Sequence, residues 1–328
     1  MQAPKPDNLV LNMKILITGS AGNLGSFLAK HLLENSQHHL RLLVHEKGLS
    51  PGLANNPHVQ VFKADLERPE TLTKPCQGSD CVIHLAGVLF RPWPGRFLPR
   101  TNVGYVRNLL SAAIESGVKR FILVSFPHVE GETTPDRPAT GRLDGNPSSV
   151  HARTRLAAER LLISSCEGTD TTPVALRPGF IYGRGILMLE AGRWLARHGL
   201  LAVWRKPTWY HLLSLPDFLS CVLSAIEKDG VSGVYGLGDD APITLQDFAD
   251  TVSRHWGYRK PWRLPAWMFY LAGLSVELFA TVFRTPSPLT RDFVRIGMAS
   301  FCSDTSRMKK ELLPELRYPA IREGLELL

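Results

Sequence analysis

Hydrophobic and polar positions follow two periods along the first 180 residues, and these periods predict strands and helices in turn. Short, β-prone apolar runs occur at 15–18, 40–44, 59–63, 81–85, 121–124 and 174–176. Helical periodicity occurs between them at 24–33, 102–115 and 151–164. Strands that alternate with helices in this way predict a parallel sheet covered on both faces, which is a doubly wound α/β fold.

Three glycines, Gly19, Gly22 and Gly25, follow the first predicted strand, and the helical pattern starts immediately after them. Such a tight turn needs one glycine that tolerates positive φ. A second glycine lets the backbone approach a pyrophosphate, and a third lets helix and strand pack closely. Phosphates bind the free N–H groups at such a helix N-terminus. The order strand, glycine turn, helix therefore predicts a dinucleotide site, with a turn that binds no ligand as the alternative.

The alternation loosens after residue 185. Helices are predicted at 187–197, 217–227 and 244–256, the last with Thr244 as its N-cap, and a short strand at 234–237. We therefore divide the chain into three parts. These are a loose N-terminal arm (1–12), a dinucleotide-binding domain (13–185) to which later segments return, and a smaller, mostly helical α/β lobe (186–328).

The stretch 264–283 has two apolar stripes along its predicted helix, and Glu277 is its only charged residue. Twenty such residues meet the length of a membrane span, but an acid inside a span costs roughly 2.5–3.5 kcal/mol. A helix that is apolar on two sides is buried, meets a protein partner or touches lipid. We favour burial or a protein partner and keep peripheral membrane contact as the alternative.

Composition narrows the classes of partner. The net charge is +8, yet the chain contains no run of five Lys or Arg residues. Scattered surface charge favours anionic ligands and argues against nucleic acid as a partner. The five cysteines have no metal-ligand spacing, so we predict no metal site and a reducing, cytoplasmic compartment. Residues 1–12 lack the apolar core of a signal peptide.

The residues that follow the second strand bear on the choice of cofactor. His45, Glu46 and Lys47 stand where the adenosine ribose of a dinucleotide would lie. An acid at this place accepts a hydrogen bond from the ribose 2′-hydroxyl, whereas a base favours a 2′-phosphate. Both kinds are present, so we favour NADP and leave NAD open. Asp65, after the third strand, either serves the cofactor or caps a helix.

Short motifs continue along nearly the whole chain. They are Thr18-Gly19-x-x-Gly22-x-x-Gly25, Asp65-Leu66, His84-Leu85-Ala86-Gly87, Asn102-Val103, Leu176-Arg177-Pro178, Tyr182-Gly183, Leu215-Pro216-Asp217 and Gly233-Val234-Tyr235-Gly236. Together they resemble the extended short-chain dehydrogenase/reductase superfamily, in its epimerase/dehydratase and 3β-hydroxysteroid-dehydrogenase-like branches. The resemblance implies an N-terminal Rossmann domain, a smaller substrate lobe and a homodimer through the helices at 102–115 and 151–165.

The glycine turn and the resemblance together predict the contacts of an NAD or NADP cofactor. The expected residues are Gly19, Ala21, Gly22, Asn23, Leu24, Gly25, His45, Lys47, Asp65, Leu66, Leu85, Ala86, Gly87, Asn102, Arg155, Pro178 and Gly179.

The resemblance also implies a Tyr-x-x-x-Lys pair with a serine and a supporting asparagine, in which the tyrosine exchanges a proton with the substrate oxygen. Here His151 stands at the tyrosine position and Arg155 at the lysine position. The serine position falls on Phe126, and Ser125, one residue earlier, would point to the other face of a strand. The candidate catalytic residues are therefore His151, Arg155, Asn102 and, if the strand end is bulged, Ser125.

The sequence thus predicts an NAD(P)-binding, atypical short-chain dehydrogenase/reductase-like protein. Without the usual pair, its oxidoreductase activity is expected to be weak, altered or absent. The alternative is a non-catalytic NAD(P)(H)-sensing or scaffold protein that acts through a protein partner. The expected substrate is an unidentified small molecule, and the apolar stretch 264–283 fits either a hydrophobic substrate or a protein partner. The loop at 90–99, rich in arginine and aromatic residues, either lines its entrance or lies on the surface.

Overall fold

The computed structural model describes residues 12–88 and 90–328. Apart from Asn12, the arm predicted for 1–12 lies outside the described residues, and so does Leu89.

Thirteen strands and eleven helices are described within these ranges. The strands are β1 (Lys14–Thr18), β2 (His39–Val44), β3 (Val59–Lys63), β4 (Cys81–His84), β5 (Arg120–Val124), β6 (Thr172–Pro178), β7 (Phe180–Tyr182), β8 (Ala202–Trp204), β9 (Trp209–Tyr210), β10 (Leu212–Ser214), β11 (Gly233–Leu237), β12 (Ile243–Thr244) and β13 (Trp262–Leu264). The helices are α1 (Asn23–Asn35), α2 (Pro51–Ala54), α3 (Thr73–Cys76), α4 (Tyr105–Glu115), α5 (Val150–Cys166), α6 (Leu187–Arg197), α7 (Leu215–Glu227), α8 (Leu245–His255), α9 (Ala266–Phe283), α10 (Arg291–Met298) and α11 (Ser306–Glu311).

Seven strands form one parallel sheet in the order β11-β6-β5-β4-β1-β2-β3. In its centre, Ile17 of β1 pairs with Leu42 of β2 on one side and with Ile83 of β4 on the other. The strand order reverses between β1 and β4, and ligands of such sheets bind in the crevice at the carboxyl ends of the strands beside this reversal. The predicted Rossmann-type fold is confirmed.

The two faces of the sheet are covered by different helices. Ile15 and Ile17 are fully buried in one apolar cluster together with Leu28 of α1. Leu16 points to the opposite face, where it is buried in a second cluster with Leu110 of α4. Successive strand residues alternate between faces, so an uninterrupted apolar run such as 15–17 is the signature of a strand buried on both sides.

The chain after residue 185 contributes both to this sheet and to smaller pairs of strands. β11 extends the main sheet beside β6, and α7 packs against α1. β7 pairs with β10 and β8 with β13 in parallel, whereas β9 pairs with β12 in antiparallel fashion. The boundary at 185 and the homodimer stay predictions. The two helices named for that dimer, α4 and α5, pack against each other within the chain.

Helix α9 departs from the burial that we favoured for 264–283. Gly273, Glu277 and Ala280 are its buried residues, and the helix as a whole is 17% buried with a mean hydropathy of 1.5. The reason is that a narrow strip with two small residues contacts the chain, while the large apolar side chains point outward. By length and composition, α9 is the one described helix that could cross a membrane.

Candidate functional site

The glycine turn forms a close-packed cradle at the end of β1. Gly19 has a φ of +75°, and a Cβ atom on it would lie 2.7 Å from the backbone nitrogen of Ala86. A Cβ atom on Gly25 would lie 2.1 Å from the carbonyl oxygen of Gly19, and one on Gly22 would lie 2.9 Å from the same oxygen. Each glycine is therefore required by backbone contact, and the turn is held close to the loop that follows β4.

Helix α1 starts directly behind this cradle. No side chain among the described residues caps its N-terminus, and its first turn contains no acid. Free N–H groups and the positive end of the helix dipole therefore face the crevice, which suits a phosphate. Ala21 and Leu24 are half-buried at the same turn. The side chain of Asn23 is already engaged, since its Nδ2 donates to Gly185 and its Oδ1 accepts from Leu187, so of Asn23 only the backbone remains for a ligand.

The predicted adenosine end lies beyond β2 and β3. His45 is 59% exposed, and its Nε2 atom lies 3.7 Å from Oδ2 of Asp65. Asp65 also accepts a hydrogen bond from the backbone nitrogen of Glu67 at 2.9 Å, so it caps the following turn and at the same time faces His45. Lys47 is exposed nearby in sequence. Leu66 does not offer its side chain to a ligand, because that side chain is buried in the core beneath α4.

Arg155 lies fully inside the crevice on α5. Its Nη2 atom lies 2.9 Å from where a Cβ atom on Gly87 would stand, so a side chain at Gly87 would collide with it. The Nε and Nη1 atoms are buried and have no hydrogen-bond partner among the described residues. Burial lowers the pKa of Arg155 to about 10, and Glu159 opposes this effect. A buried guanidinium with free donors calls for acceptor oxygens, such as ribose hydroxyls.

Asn102 stands on a π-helical turn, Pro99–Gly104, that precedes α4. Its Nδ2 atom donates to Oγ1 of Thr154 at 2.9 Å, and its Oδ1 atom is buried without a partner among residues 12–88 and 90–328. Thr154 precedes Arg155 on α5, so Asn102 is held against the helix that carries Arg155. Helix α4 begins at Tyr105, three residues later than the pattern predicts, because the π-helical turn takes up the first residues.

His151 lies on the same face of α5 as Arg155, one helical turn closer to the N-terminus. Its pKa is lowered to about 3 by burial and, secondarily, by the charge of Arg155 and by His128. The ring of Phe126 meets the ring of His151 edge to face, with 4.7 Å between centroids, and stacks on His128 at 4.8 Å. Burial lowers the pKa of His128 to about 4. His151 is thus a buried, neutral imidazole whose ring packs against the ring of Phe126.

Ser125 does not reach this group. Its hydroxyl donates to Oε1 of Glu159 in a short hydrogen bond, and Glu159 in turn accepts from Arg177 at 2.6 Å. Arg177 is 1% exposed and also contacts Glu130 at 2.5 Å. The expectation that Ser125 could serve the reacting centre is therefore corrected. The hydroxyl of Ser125 is instead engaged by Glu159, a buried carboxylate that needs donors.

Pro178 and Gly179 end β6 at the same edge of the sheet. The backbone nitrogen of Gly179 donates to Leu237 at 2.8 Å. A Cβ atom on Gly179 would lie 2.2 Å from the carbonyl oxygen of His211. Close packing against Leu237 of β11 and against His211, the residue before β10, is therefore sufficient to explain this glycine. Leu85 is the residue that leads from β4 into the cradle, since its backbone nitrogen donates to Thr18 at 3.2 Å.

A narrow cleft opens beside His151. One wall is the loop predicted as a possible substrate entrance, and the other is the segment 287–296. Its lining residues are Val88, Phe90, Arg91, Pro94, Phe97, Leu98, His151, Ser287, Pro288, Thr290, Asp292, Phe293 and Ile296. The two walls are joined by a hydrogen bond of 2.7 Å from the backbone nitrogen of Ser287 to the carbonyl oxygen of Phe90. Phe90 and Trp93 have φ values of +58° and +57°, in the left-handed region that residues other than glycine seldom adopt.

Asp292 is the residue of this cleft that sequence reasoning missed. Its Oδ1 and Oδ2 atoms accept hydrogen bonds from the backbone nitrogens of Val150 (2.8 Å) and His151 (3.1 Å). Ser149 caps the same helix, α5, by accepting from Ala152 at 3.1 Å. The Ser149 cap is visible in the sequence, whereas nothing local connects Asp292 with a helix that begins more than 140 residues earlier. Among residues 12–88 and 90–328, no group of His, Cys, Asp and Glu side chains could hold a metal ion.

Comparison with known proteins places this site in context. Residues 15–199 match the sequence pattern of the NAD-dependent epimerase/dehydratase family. The 3β-hydroxysteroid-dehydrogenase/decarboxylase isoform 1 of Arabidopsis thaliana is 24% identical over 333 aligned positions, which cover 90% of this chain and 74% of that protein.

Solved structures show the same fold over nearly the whole chain. A UDP-glucose 4-epimerase from Thermotoga maritima, solved with UDP-glucose, has a TM-score of 0.75 at 20% identity and covers 96% of this chain and 97% of its own. A UDP-glucuronic acid 4-epimerase from Bacillus cereus, solved with UDP-glucuronic acid and NAD, has a TM-score of 0.73 at 21% identity, with the same two coverages of 96% and 97%. At these identities the likeness concerns the fold alone.

Proposed function

Because the chain belongs to the NAD-dependent epimerase/dehydratase family, we propose that it binds NAD(P)(H) in the glycine cradle and has weak or absent oxidoreductase activity of the usual kind. The observation that carries this proposal is the neutral, buried His151 at the position where the resemblance places a tyrosine. The nucleotide half of the site is intact, and the proton-transfer half is altered.

Three features of the chain support dinucleotide binding. The cradle at Gly19, Gly22 and Gly25 leaves no room for a side chain, and the N-terminus of α1 has no cap among the described residues. Arg155 has two buried donor atoms without partners in the described chain. In this proposal the cradle holds the pyrophosphate and Arg155 donates to the hydroxyls of the nicotinamide ribose. A bound nicotinamide would supply or accept the hydride.

The residues at the catalytic positions are poorly suited to donate a proton or a hydrogen bond to a substrate oxygen. Because burial lowers the pKa of His151 to about 3, its imidazole is neutral at neutral pH and has no proton to donate beyond its ring N–H. General acid catalysis needs a donor whose pKa lies near the working pH. Phe126, at the serine position, cannot hydrogen-bond a substrate oxygen. The loss of such a donor typically costs on the order of 10²–10³ in rate.

For the ligand of the cleft we propose a small, predominantly apolar molecule. The walls contain phenylalanine, proline, leucine and isoleucine around His151. The curated relative is by its name a hydroxysteroid dehydrogenase and decarboxylase, which agrees with an apolar ligand. For the cofactor we favour NADP, since His45 and Lys47 are exposed beside the predicted ribose position, and NAD stays open.

Fluorescence titration of the purified protein with NADH and NADPH is the first test, and micromolar binding of at least one is expected. Absence of both would contradict the proposal. The second test is turnover with a panel of ketones, sterols and sugar nucleotides. We expect little or no turnover in the wild type. Brisk turnover that the substitution His151→Ala abolishes would show that His151 is a working acid, whereas binding without turnover would favour the sensing role.

A variant with three substitutions tests most directly whether these positions limit the proton-transfer chemistry. Phe126→Ser supplies the missing donor and opens space, His151→Tyr supplies a phenol and Arg155→Lys an ammonium. For a substrate that the wild type turns over slowly, a gain on the order of 10²-fold is expected. Phe126→Ser alone is the matched control. No gain in a triple variant that still binds the cofactor would mean that these three positions do not limit the chemistry.

A further inference from the structure

Helix α9 presents a broad apolar face that the rest of the described chain leaves uncovered. Seven large apolar side chains on it are between 37% and 73% exposed. They are Trp267, Met268, Leu271, Leu278, Phe279, Val282 and Phe283. Single exposed apolar side chains are ordinary, but a contiguous set on one helix marks an interaction surface.

The single charge of α9 is turned away from this face. Glu277 is buried at 2% exposure, and its Oε2 atom accepts from Nε of Arg291 at 2.7 Å. Gly273 lies against the backbone of Thr290 and Arg291. Trp93 donates to Oγ1 of Thr281 at 2.8 Å. The narrow inner side of α9 thus fixes the helix to its own chain. Because Glu277 lies on that inner side, the outer face can enter an apolar medium without carrying a charge into it.

Further exposed apolar side chains belong to the strand that leads into α9 and to the residues just before its partner strand. β13, which leads into the helix, pairs with β8. Trp262 of β13 is 55% exposed, and its Nε1 atom donates to the carbonyl oxygen of Gly199 at 3.0 Å. Leu200, which follows Gly199 in the chain, is 59% exposed. Tryptophan side chains at the edge of an apolar face are typical of proteins that rest at a membrane–water interface.

Cationic side chains border the apolar face at both ends. The guanidinium of Arg259 lies 5.9 Å from the ring centre of Trp262, and Arg284 directly follows the last residue of α9. Neither forms an ion pair with another residue in the described ranges. Arg96 lies 5.7 Å from the ring centre of Trp93 on the side of the cleft. An apolar face edged by free cations, on a chain of net charge +8, complements a surface of anionic headgroups.

A transmembrane position fits α9 less well than a position parallel to the surface. Eighteen residues span about 27 Å, close to the thickness of the hydrocarbon core. Crossing would, however, take Glu277 away from Arg291 and Thr281 away from Trp93. We propose that α9 lies in the headgroup region of a bilayer that contains anionic lipids, with its outer face in the acyl boundary and the rest of the chain in water.

Sedimentation with lipid vesicles tests this proposal. The vesicles are phosphatidylcholine alone, or phosphatidylcholine with about one third phosphatidylglycerol. The wild type is expected to bind the anionic vesicles more tightly, and added salt is expected to weaken this binding because the cations at the rim are screened. The double substitution Val282→Gln and Phe283→Gln is expected to weaken binding about tenfold or more.

Val61→Gln is the matched control, since Val61 is a 43% exposed valine on β3, the strand at one edge of the main sheet. It is expected to leave vesicle binding unchanged. Failure of the wild type to bind anionic vesicles, or an equal loss in the control, overturns the proposal. A dimer in analytical ultracentrifugation that the double substitution dissociates would also overturn it, because a second copy would then cover the face. NADH titration of the same variants tests the cofactor site separately, since none of the substituted residues touches the cradle.

Discussion

Two helix N-termini meet the crevice of this protein, and they are treated in opposite ways. The N-terminus of α1 has no side-chain cap among the described residues and stands behind a cradle of glycines. The N-terminus of α5 is occupied twice, by the hydroxyl of Ser149 and by the carboxylate of Asp292. Both ends carry the same partial positive charge. One leaves it available for an anion from solution, and the other neutralises it with an acid of its own chain.

This difference separates binding from chemistry in the molecule. The open end at α1 can accept a phosphate without displacing any group of the protein. The closed end at α5 fixes the turn that bears His151, in an apolar wall where the imidazole stays neutral. A ligand is therefore expected to be held by the α1 side and only enclosed by the α5 side.

The largest effect on cofactor binding is expected from a substitution that places a side-chain atom inside the glycine turn before α1. In Gly25→Ala the new Cβ atom would meet the carbonyl oxygen of Gly19, a backbone atom that cannot move aside cheaply. We expect about a hundredfold weaker binding of NADH and NADPH and a loss of about 2–4 kcal/mol in the free energy of unfolding. Fluorescence titration and urea unfolding measure the two effects. Gly192→Ala in α6 is the control, since nothing lies near that position, and it should leave binding unchanged.

Removing the carboxylate that caps α5 should lower the free energy of unfolding. Asp292→Ala removes two charge-assisted hydrogen bonds from the first turn of α5. The expected loss is about 2 kcal/mol in the free energy of unfolding, measured in urea. The control Asp170→Ala removes a carboxylate that is 88% exposed and pairs with Lys119 on the surface, so a loss below about 1 kcal/mol is expected. Equal losses in the two variants would mean that Asp292 does not act as a cap.

The open end could be predicted from the sequence, because strand, turn and helix all lie within twelve residues and the glycine spacing carries the geometry. His151 and Arg155 could be placed on one face for the same reason, since they are one helical turn apart. Asp292 could not be predicted, because its contact with α5 depends on how α10 packs. The outward face of α9 was equally hidden. A helix that is apolar all round carries no mark of which side meets the chain, and only the contacts of Glu277 decide it.

The lowered pKa of His151 on α5 should make the free energy of unfolding depend on pH. The pKa of His151 is about 3 in the folded chain and about 6.5 when the chain unfolds. Between these values the unfolded state binds the extra proton, so the free energy of unfolding falls as pH falls, by up to about 1.4 kcal/mol per pH unit for this residue. His151→Gln removes this contribution. Urea unfolding between pH 6.5 and pH 5 should therefore give a shallower slope for the variant.

The comparison above pH 7.5 serves as the internal control, because neither state of the protein then gains a proton at this residue and the two slopes should agree. His84 and His128, whose pKa values burial lowers to about 3 and about 4, remain in the variant and keep part of the acid sensitivity. Identical slopes for wild type and variant throughout the acid range would show that His151 is not held neutral in the folded protein.

The smallest effect is expected at the outer rim of the open end, where the choice between NADPH and NADH is made. His45 is 59% exposed and faces Asp65 across 3.7 Å, so solvent screens whatever charge it presents. In His45→Ala we expect NADPH affinity to fall a few-fold relative to NADH affinity, because a group that can attract the 2′-phosphate is lost while Asp65 remains to repel it. Paired titrations with the two cofactors at low and moderate salt measure this ratio. A variant that instead gains affinity for NADPH would assign His45 to the 2′-hydroxyl of NADH and reverse the preference proposed for this protein.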